Sequence, residues 1–263
     1  MIKSMEKAFS LEGRNAIVTG ANKGIGKGIA EAFAQEGANV AILARDEKAA
    51  AGVIAEFKEK GYKGKFVFYY TDISSTQNCK ESVAAVIRDY GGIDILVNNS
   101  GIGVHGGLLD MPEDLSVWDH CLNVDLNGAF RMCYFVGRHM RERGKGGKIV
   151  NITSNAGAMV NKPFLLSAYS VAKAGLNMLT KNLAVELGEC GVTVNAIAPG
   201  YTYSTLTTNL DEEGIKVLTE KMPVGRFGHP IEIGALAVYL VSDASEMMTG
   251  MVCTIDGGYS LAI

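Results

Sequence analysis

The stretch NAIVTGANKGIGKGIAEAFAQEG, residues 15–37, decides the fold. It opens as a short apolar run bounded by Thr19 and Gly20, the pattern of a buried strand. Glycines follow at 20, 24 and 26, and then Ile29, Ala30 and Phe33 recur at helical spacing. A strand that breaks at glycine and feeds straight into a helix is the first half of a βαβ unit. The alternation continues through NVAILA (39–44), KFVFYYTD (65–72), DILVNN (94–99), KIVNITS (148–154), VTVNAIAPG (192–200) and CTIDGG (253–258), each read as a strand. Helical patterns lie between them, at about 47–60, at 117–143, from Tyr169 onward and at 231–240. The expected architecture is α/β: a single-domain Rossmann fold over 1–263, doubly wound, with a parallel seven-stranded sheet and helices on both faces. The polar, irregular 201–228 segment is expected to be a substrate lid.

Composition narrows the function. Of 263 residues 48% are hydrophobic and 20% charged, enough apolar material for one large core. Twenty-five basic against 28 acidic side chains leave a net charge of −3, and no basic run could follow a phosphate backbone, so nucleic acid is excluded as a partner. Cys79, Cys121, Cys133, Cys190 and Cys253 are scattered, with no CxxC pair and no histidine at zinc spacing, so no metal site is expected. They read as small buried hydrophobes in a reducing compartment. The first ten residues lack a secretory apolar stretch and no segment nears 18 apolar residues, so the expectation is a cytoplasmic protein without a membrane span.

In TGANKGIG the spacing of glycines alone would arise by chance roughly 0.5 times in so glycine-rich a chain. Its place between an apolar strand and a helix gives it weight. Gly20, Asn22, Lys23, Gly24, Ile25 and Gly26 are read as a cradle in which backbone approaches a pyrophosphate and amides at the helix N-terminus meet its charge. In dinucleotide folds an acid ending the second strand takes the ribose hydroxyls of NAD, and an arginine there accommodates the extra phosphate of NADP. Here that strand ends Ala44-Arg45, with Lys23 as a second cation. NADP(H) is the favoured cofactor and NAD(H) the second choice; the bland alternative makes both side chains solvated loop cations.

Tyr169 and Lys173 are four apart on a helix and share a face. A nearby ammonium favours the ionised form of a phenol, which is how tyrosine serves as an acid/base near neutrality. Ser154, ending the fifth strand, could hydrogen-bond a carbonyl or alcohol oxygen while Tyr169 passes the proton. A YxxxK match is common by chance, so order along the chain carries the argument: glycine loop, Asp72, NNSG, Ser154, then Tyr169 and Lys173 all follow strands, where open α/β sheets gather their sites.

With these motifs the chain resembles the short-chain dehydrogenase/reductase family over essentially its whole length: TGANKGIG, Asp72, NNSG at 98–101, Ser154, YSVAK at 169–173, Asn195 with Pro199 and Gly200, and the terminal IDGG. The resemblance implies that Asp72 and Ile73 hold the adenine, that Asn98 lines the cofactor cleft, that Lys173 also binds the nicotinamide ribose, and that the segment containing Pro199, Gly200 and Thr202 meets the carboxamide. It also implies a homotetramer built on the two long helices, which carry apolar residues on more than one face: Ala129, Phe130, Cys133, Val136 and Met140 on one, Leu176, Met178, Leu179 and Leu183 on the other. One position departs from the pattern. Where family members carry an asparagine that supports a proton relay from the lysine, this chain has Asp125, which joins the catalytic set with an extra carboxylate that would bias Lys173 toward its charged form.

The 15-residue interval from Ser154 to Tyr169 is two longer than the family's common one, and NAGAMVNKPFLLSA within it is similar to the corresponding part of microbial NADP-dependent mannitol dehydrogenases and sorbose reductases. MLTKNLAVELGE and DGGYSLAI look like gluconate 5-dehydrogenase. These favour a ketose, polyol or sugar acid as the small-molecule substrate, with His105 and Asn161 as candidate hydroxyl contacts. Two alternatives stay open: a 3-ketoacyl or hydroxysteroid reductase, and a nucleotide-binding protein without turnover.

Overall fold

Successive residues of the central strands face different cores, and this alternation makes the molecule three-layered. The computed structural model describes residues 4–160, 165–204, 207 and 211–261. In it Ala16, Val18, Val40, Ile42, Ile95 and Val97 pack on one side of the sheet, while Ile17, Ala41, Leu43 and Leu96 pack on the other. The strands are β1 (Asn15–Thr19), β2 (Asn39–Ala44), β3 (Phe66–Tyr70), β4 (Ile95–Asn98), β5 (Gly147–Ile152), β6 (Val192–Pro199) and β7 (Val252–Ile255). All are parallel, in the order β3-β2-β1-β4-β5-β6-β7. The helices are α1 (Met5–Ala8), α2 (Gly24–Gln35), α3 (Glu47–Glu59), α4 (Thr76–Tyr90), α5 (Ser116–Leu122), α6 (Ala129–Arg143), α7 (Ser167–Gly188), α8 (Glu212–Thr219) and α9 (Pro230–Val241). Helices α2, α3 and α9 cover the first core, and α4, α6 and α7 the second. Because the winding reverses between β1 and β4, a crevice opens beyond the carboxyl ends of the strands. The doubly wound parallel sheet expected from the sequence is the fold observed.

Two expectations are corrected. The 117–143 segment is not one regular helix: α5 passes through a π-helical stretch, Asn123–Gly128, before α6 begins. The wider turn inserts a residue into the helical ladder and lets the chain continue, so the apolar periodicity on either side still reads as helical. Nor is 201–228 irregular throughout. It contains α8, whose first turn is capped by Asp211 accepting from the Gly214 amide (2.8 Å), and which buries Leu218 against Met222, Phe227 and Tyr259.

At the amino ends of the strands, charged pairs tie distant segments together: Arg14 to Asp243, and Arg143 to Asp94 at 2.7 Å. Asn39 donates to Asn15 there (2.9 Å), and His139 accepts from the Ile93 amide (3.2 Å). Most of the apolar residues expected on two faces of the long helices are core, namely Ala129, Cys133, Val136, Met140, Leu176 and Leu183, while Phe130 and Met178 face outward. Tyr134, Val171 and Val185 extend that exposed apolar face. Among the described residues no helix is long and apolar enough to cross a membrane.

Candidate active site

Strand ends and the loops after them enclose a cavity of ≈ 1030 Å³. Its floor is the turn from β1 into α2. Gly20 has φ +68°, and a Cβ there would lie 2.9 Å from Asn99 Nδ2; a Cβ on Gly26 would collide with the Gly20 carbonyl oxygen and the same amide. Both positions therefore require glycine. Thr19 Oγ1 accepts from the amides of Asn99 (2.9 Å) and Ser100 (3.0 Å), and Asn99 Nδ2 donates to the Thr19 carbonyl (2.9 Å), so the loops after β1 and β4 form one rigid surface. The N-terminus of α2 opens onto it, with Lys23 at the cap position making no side-chain cap bond.

At one end of the cavity Arg45 is exposed beyond β2. Its neighbour Asp46 also lines the cavity, and its Oδ1 accepts from the Ala49 amide (3.0 Å) to cap α3. Asp72 accepts from Ser74 Oγ (2.7 Å) and the Ser74 amide (3.0 Å), and these bonds hold its carboxyl below the usual range. At the other end stand Ser154, Tyr169 and Lys173. Ser154 stands two residues beyond β5, and its Oγ accepts from the Ala156 amide (3.2 Å), which caps the short helical turn that follows. Tyr169 sits in the first turn of α7 and Lys173 one turn later, its Nζ 5.4 Å from the centre of the Tyr169 ring. That Nζ also donates to the Ile152 carbonyl (3.3 Å) and lies 3.1 Å from Asp125 Oδ2. Burial alone would lower the Lys173 pKa; the Asp125 carboxylate, with Tyr169, outweighs it and the net direction is up.

The cavity thus brings together Gly20, Asn22, Lys23, Gly24, Ile25, Arg45, Asp72, Ile73, Asp125, Ser154, Tyr169, Lys173, Pro199, Gly200 and Thr202. Two residues singled out in the sequence do not line it. Gly26 lies beneath the loop, where its role is close packing. Asn98, expected in the cleft, is turned into the opposite core, donating to Asn151 Oδ1 (2.9 Å) and toward Cys133 Sγ (3.1 Å). The strand runs through Asn98, so it is the next residue, Asn99, that faces the cavity, along with Ser100, Gly101, Asn155 and Tyr201. Only knowledge of where β4 ends would have separated the two asparagines. His105 lines the cavity; Asn161 lies outside the described residues.

Chemically, the arrangement offers helix N-terminal amides and two cations at one end, and a hydroxyl, a phenol and an ammonium on one wall at the other. A dinucleotide fits this donor set: glycines at 20 and 26, where a Cβ would strike Asn99, let the loop after β1 pack closely beneath the cavity, and the cations line the same cavity as Tyr169 and Lys173. Among the described residues no cluster could hold a metal ion.

Known proteins give the same picture. Residues 20–260 match a family model described as enoyl-(acyl carrier protein) reductase. A 3-oxoacyl-acyl-carrier-protein reductase from Thermotoga maritima is 37% identical over 94% of this chain and 98% of its own length. An NAD-dependent glycerol dehydrogenase from Listeria innocua is 35% identical over 98% of each chain. A gluconate 5-dehydrogenase from Burkholderia cenocepacia, solved in complex with NADP and tartrate, superimposes with a TM-score of 0.89 at 32% identity, covering 98% of this chain and 99% of its own.

Proposed function

The chain belongs to the short-chain dehydrogenase/reductase family, and on that premise we propose that it is an NADP(H)-dependent oxidoreductase interconverting a ketose, polyol or sugar acid with its alcohol or carbonyl partner. The observation that carries the reading is the single cavity wall formed by Ser154, Tyr169 and Lys173, opposite an N-terminal helix cradle. Bound nicotinamide would accept or donate the hydride. The protein's own part is acid/base work and placement. Ser154 Oγ holds the substrate oxygen, Tyr169 gives it a proton or takes one away, and Lys173 presents positive charge beside the phenol and a donor to the nicotinamide ribose.

The cradle of Gly20, Asn22, Lys23, Gly24 and Ile25 would hold the pyrophosphate, Arg45 and Lys23 the 2′-phosphate, Asp72 and Ile73 the adenine, and Pro199, Gly200 and Thr202 the carboxamide. Arg45, rather than an acid, directly follows the last residue of β2, and one oxygen of the next residue, Asp46, is engaged in capping α3; this supports NADP(H) over NAD(H). His105 is in place to meet a substrate hydroxyl. A second reading, reduction of a 3-oxoacyl group, is favoured by the similarity to the Thermotoga enzyme and by Ile102, Leu166 and Leu218 on the cavity wall. NADPH oxidation measured against ketoses, keto acids and 3-oxoacyl thioesters decides between them. Turnover should fall about 10²- to 10⁴-fold in Tyr169→Phe; full activity in that variant removes the mechanism.

The chain is further proposed to act as one domain and as a homotetramer in the cytoplasm. The exposed Phe130, Tyr134, Val171, Met178 and Val185 support a second copy packing on α6 and α7. Light scattering returning a monomer mass at micromolar concentration would refute the assembly.

A further inference from the structure

Asp125 is 1% exposed, in the π-helical stretch between α5 and α6, and its carboxylate spans two elements of the site. Oδ1 accepts from the Ile102 amide (2.8 Å), in the loop after β4; Oδ2 lies 3.1 Å from Lys173 Nζ on α7. No other donor among the described residues reaches Oδ2. The two charged groups are sealed by Gly101: a Cβ there would stand 2.8 Å from Asp125 Oδ2 and 3.3 Å from Lys173 Nζ, so only a glycine leaves the pair intact. An amide side chain of the same shape could keep the Ile102 bond. It could not supply the charge.

We propose that Asp125 is a positioning residue whose carboxylate, pinned by the Ile102 amide, keeps Lys173 an ammonium and fixes it between the Ile152 carbonyl and the Tyr169 ring. The inference rests on the reading of Lys173 as part of the acid/base machinery and adds how this chain keeps it charged. Three titratable groups face the amine: Asp125 from the π-helical stretch, Tyr169 from its own helix, and Cys121 from α5. Cys121 stays a thiol, its pKa pushed up to about 11 by burial and then by Asp125. Tyr169 cycles its proton during turnover. Asp125 is therefore the counter-charge that turnover does not remove, and without it the burial of Lys173 is less fully offset and the balance moves toward the free amine.

The test is Asp125→Asn, which retains an acceptor for Ile102, read in two ways. The first is the pH profile of kcat/KM for alcohol oxidation: its alkaline limb should move down by about one pH unit or more. A purely structural role would change the rate or the melting temperature and leave the limb where it was, and that outcome overturns the proposal. The second needs no turnover. Lys173 is labelled across pH with acetic anhydride and quantified by mass spectrometry, which measures its free-amine fraction. At a given pH below the lysine range the variant should label about tenfold faster or more, and coincident profiles overturn the proposal even if the protein reduces nothing. If Asp125→Asn does not fold, the unaltered protein decides by itself: free amine appearing at Lys173 well below the ordinary lysine range sinks the idea, and its absence there sustains it.

Discussion

Two buried lysines stand at opposite ends of β5, Lys148 within the strand and Lys173 on α7 beside its carboxyl end, and they are treated differently. Lys173, beside the carboxyl end, has Asp125 at 3.1 Å and is driven toward the charged form. Lys148, near the amino end, is 9% exposed, and burial, reinforced by Arg14, pulls its pKa down; Glu246 and Asp243 do not restore it. Asp243 is already paired with Arg14. Burial by itself pulls an amine toward its neutral form, and a dedicated carboxylate pulls it back toward the charged one. The amino end of the sheet uses its charges to tie segments together, while the carboxyl end holds a paired charge on the wall of the cavity.

The strongest challenge to this contrast is a pair of substitutions. Lys173→Met should lower kcat/KM by about 10²- to 10⁴-fold. Lys148→Met, which exchanges a buried amine that burial disfavours in its charged form for an apolar chain, should leave kcat/KM unchanged and the melting temperature equal or higher. Equal losses in the two variants would erase the distinction between the ends. A smaller effect sharpens the carboxyl-end reading. Arg45→Ala should raise KM for NADP about 10- to 100-fold, the loss of one or two charge-assisted hydrogen bonds, and leave KM for NAD unchanged. Parallel rises for both cofactors would assign Arg45 to general nucleotide binding.

The smallest effect probes the amino end, where added positive charge is unwelcome. Burial, with Arg143 nearby, depresses the His139 pKa below 6.5. The unfolded chain therefore takes up this proton first as pH falls. Stability from this group is complete above about pH 6.5 and declines below it. The melting temperature of the unaltered protein should drop by a few degrees more between about pH 7 and 5.5 than that of His139→Gln. Parallel curves would mean that the bond to the Ile93 amide survives protonation.

The layered sheet was legible because parallel strands buried on both faces must be short apolar runs, and NAIVTG, NVAILA and DILVNN stand out as such whatever surrounds them. The gathering of Ser154, Tyr169 and Lys173 on one cavity was legible because they come after strand ends in the chain, and strand ends converge. The features that escaped depend on phase or on distance. A π-helical stretch shifts the helical phase by one residue without disturbing the apolar pattern on either side, so 117–143 reads as a single helix. Helix α8 buries only Leu218 and otherwise looks like polar loop. Asn98 and Asn99 are adjacent and chemically identical, and their opposite roles follow from β4 continuing one residue further than the apolar run. The Arg14 to Asp243 pair joins residues 229 positions apart and leaves no local trace.

The central pairing of the sheet sets an order of events for the growing chain. β1 lies beside β4, with Ala16 opposite Ile95, and the glycine turn is braced by Asn99 and Ser100. The first strand and its loop are synthesised early, yet they have no inner neighbour until the fourth strand leaves the ribosome. Closing so long an excursion is entropically slow. The nucleotide cradle, encoded near the start of the message, is consequently among the later parts of the molecule to become able to bind.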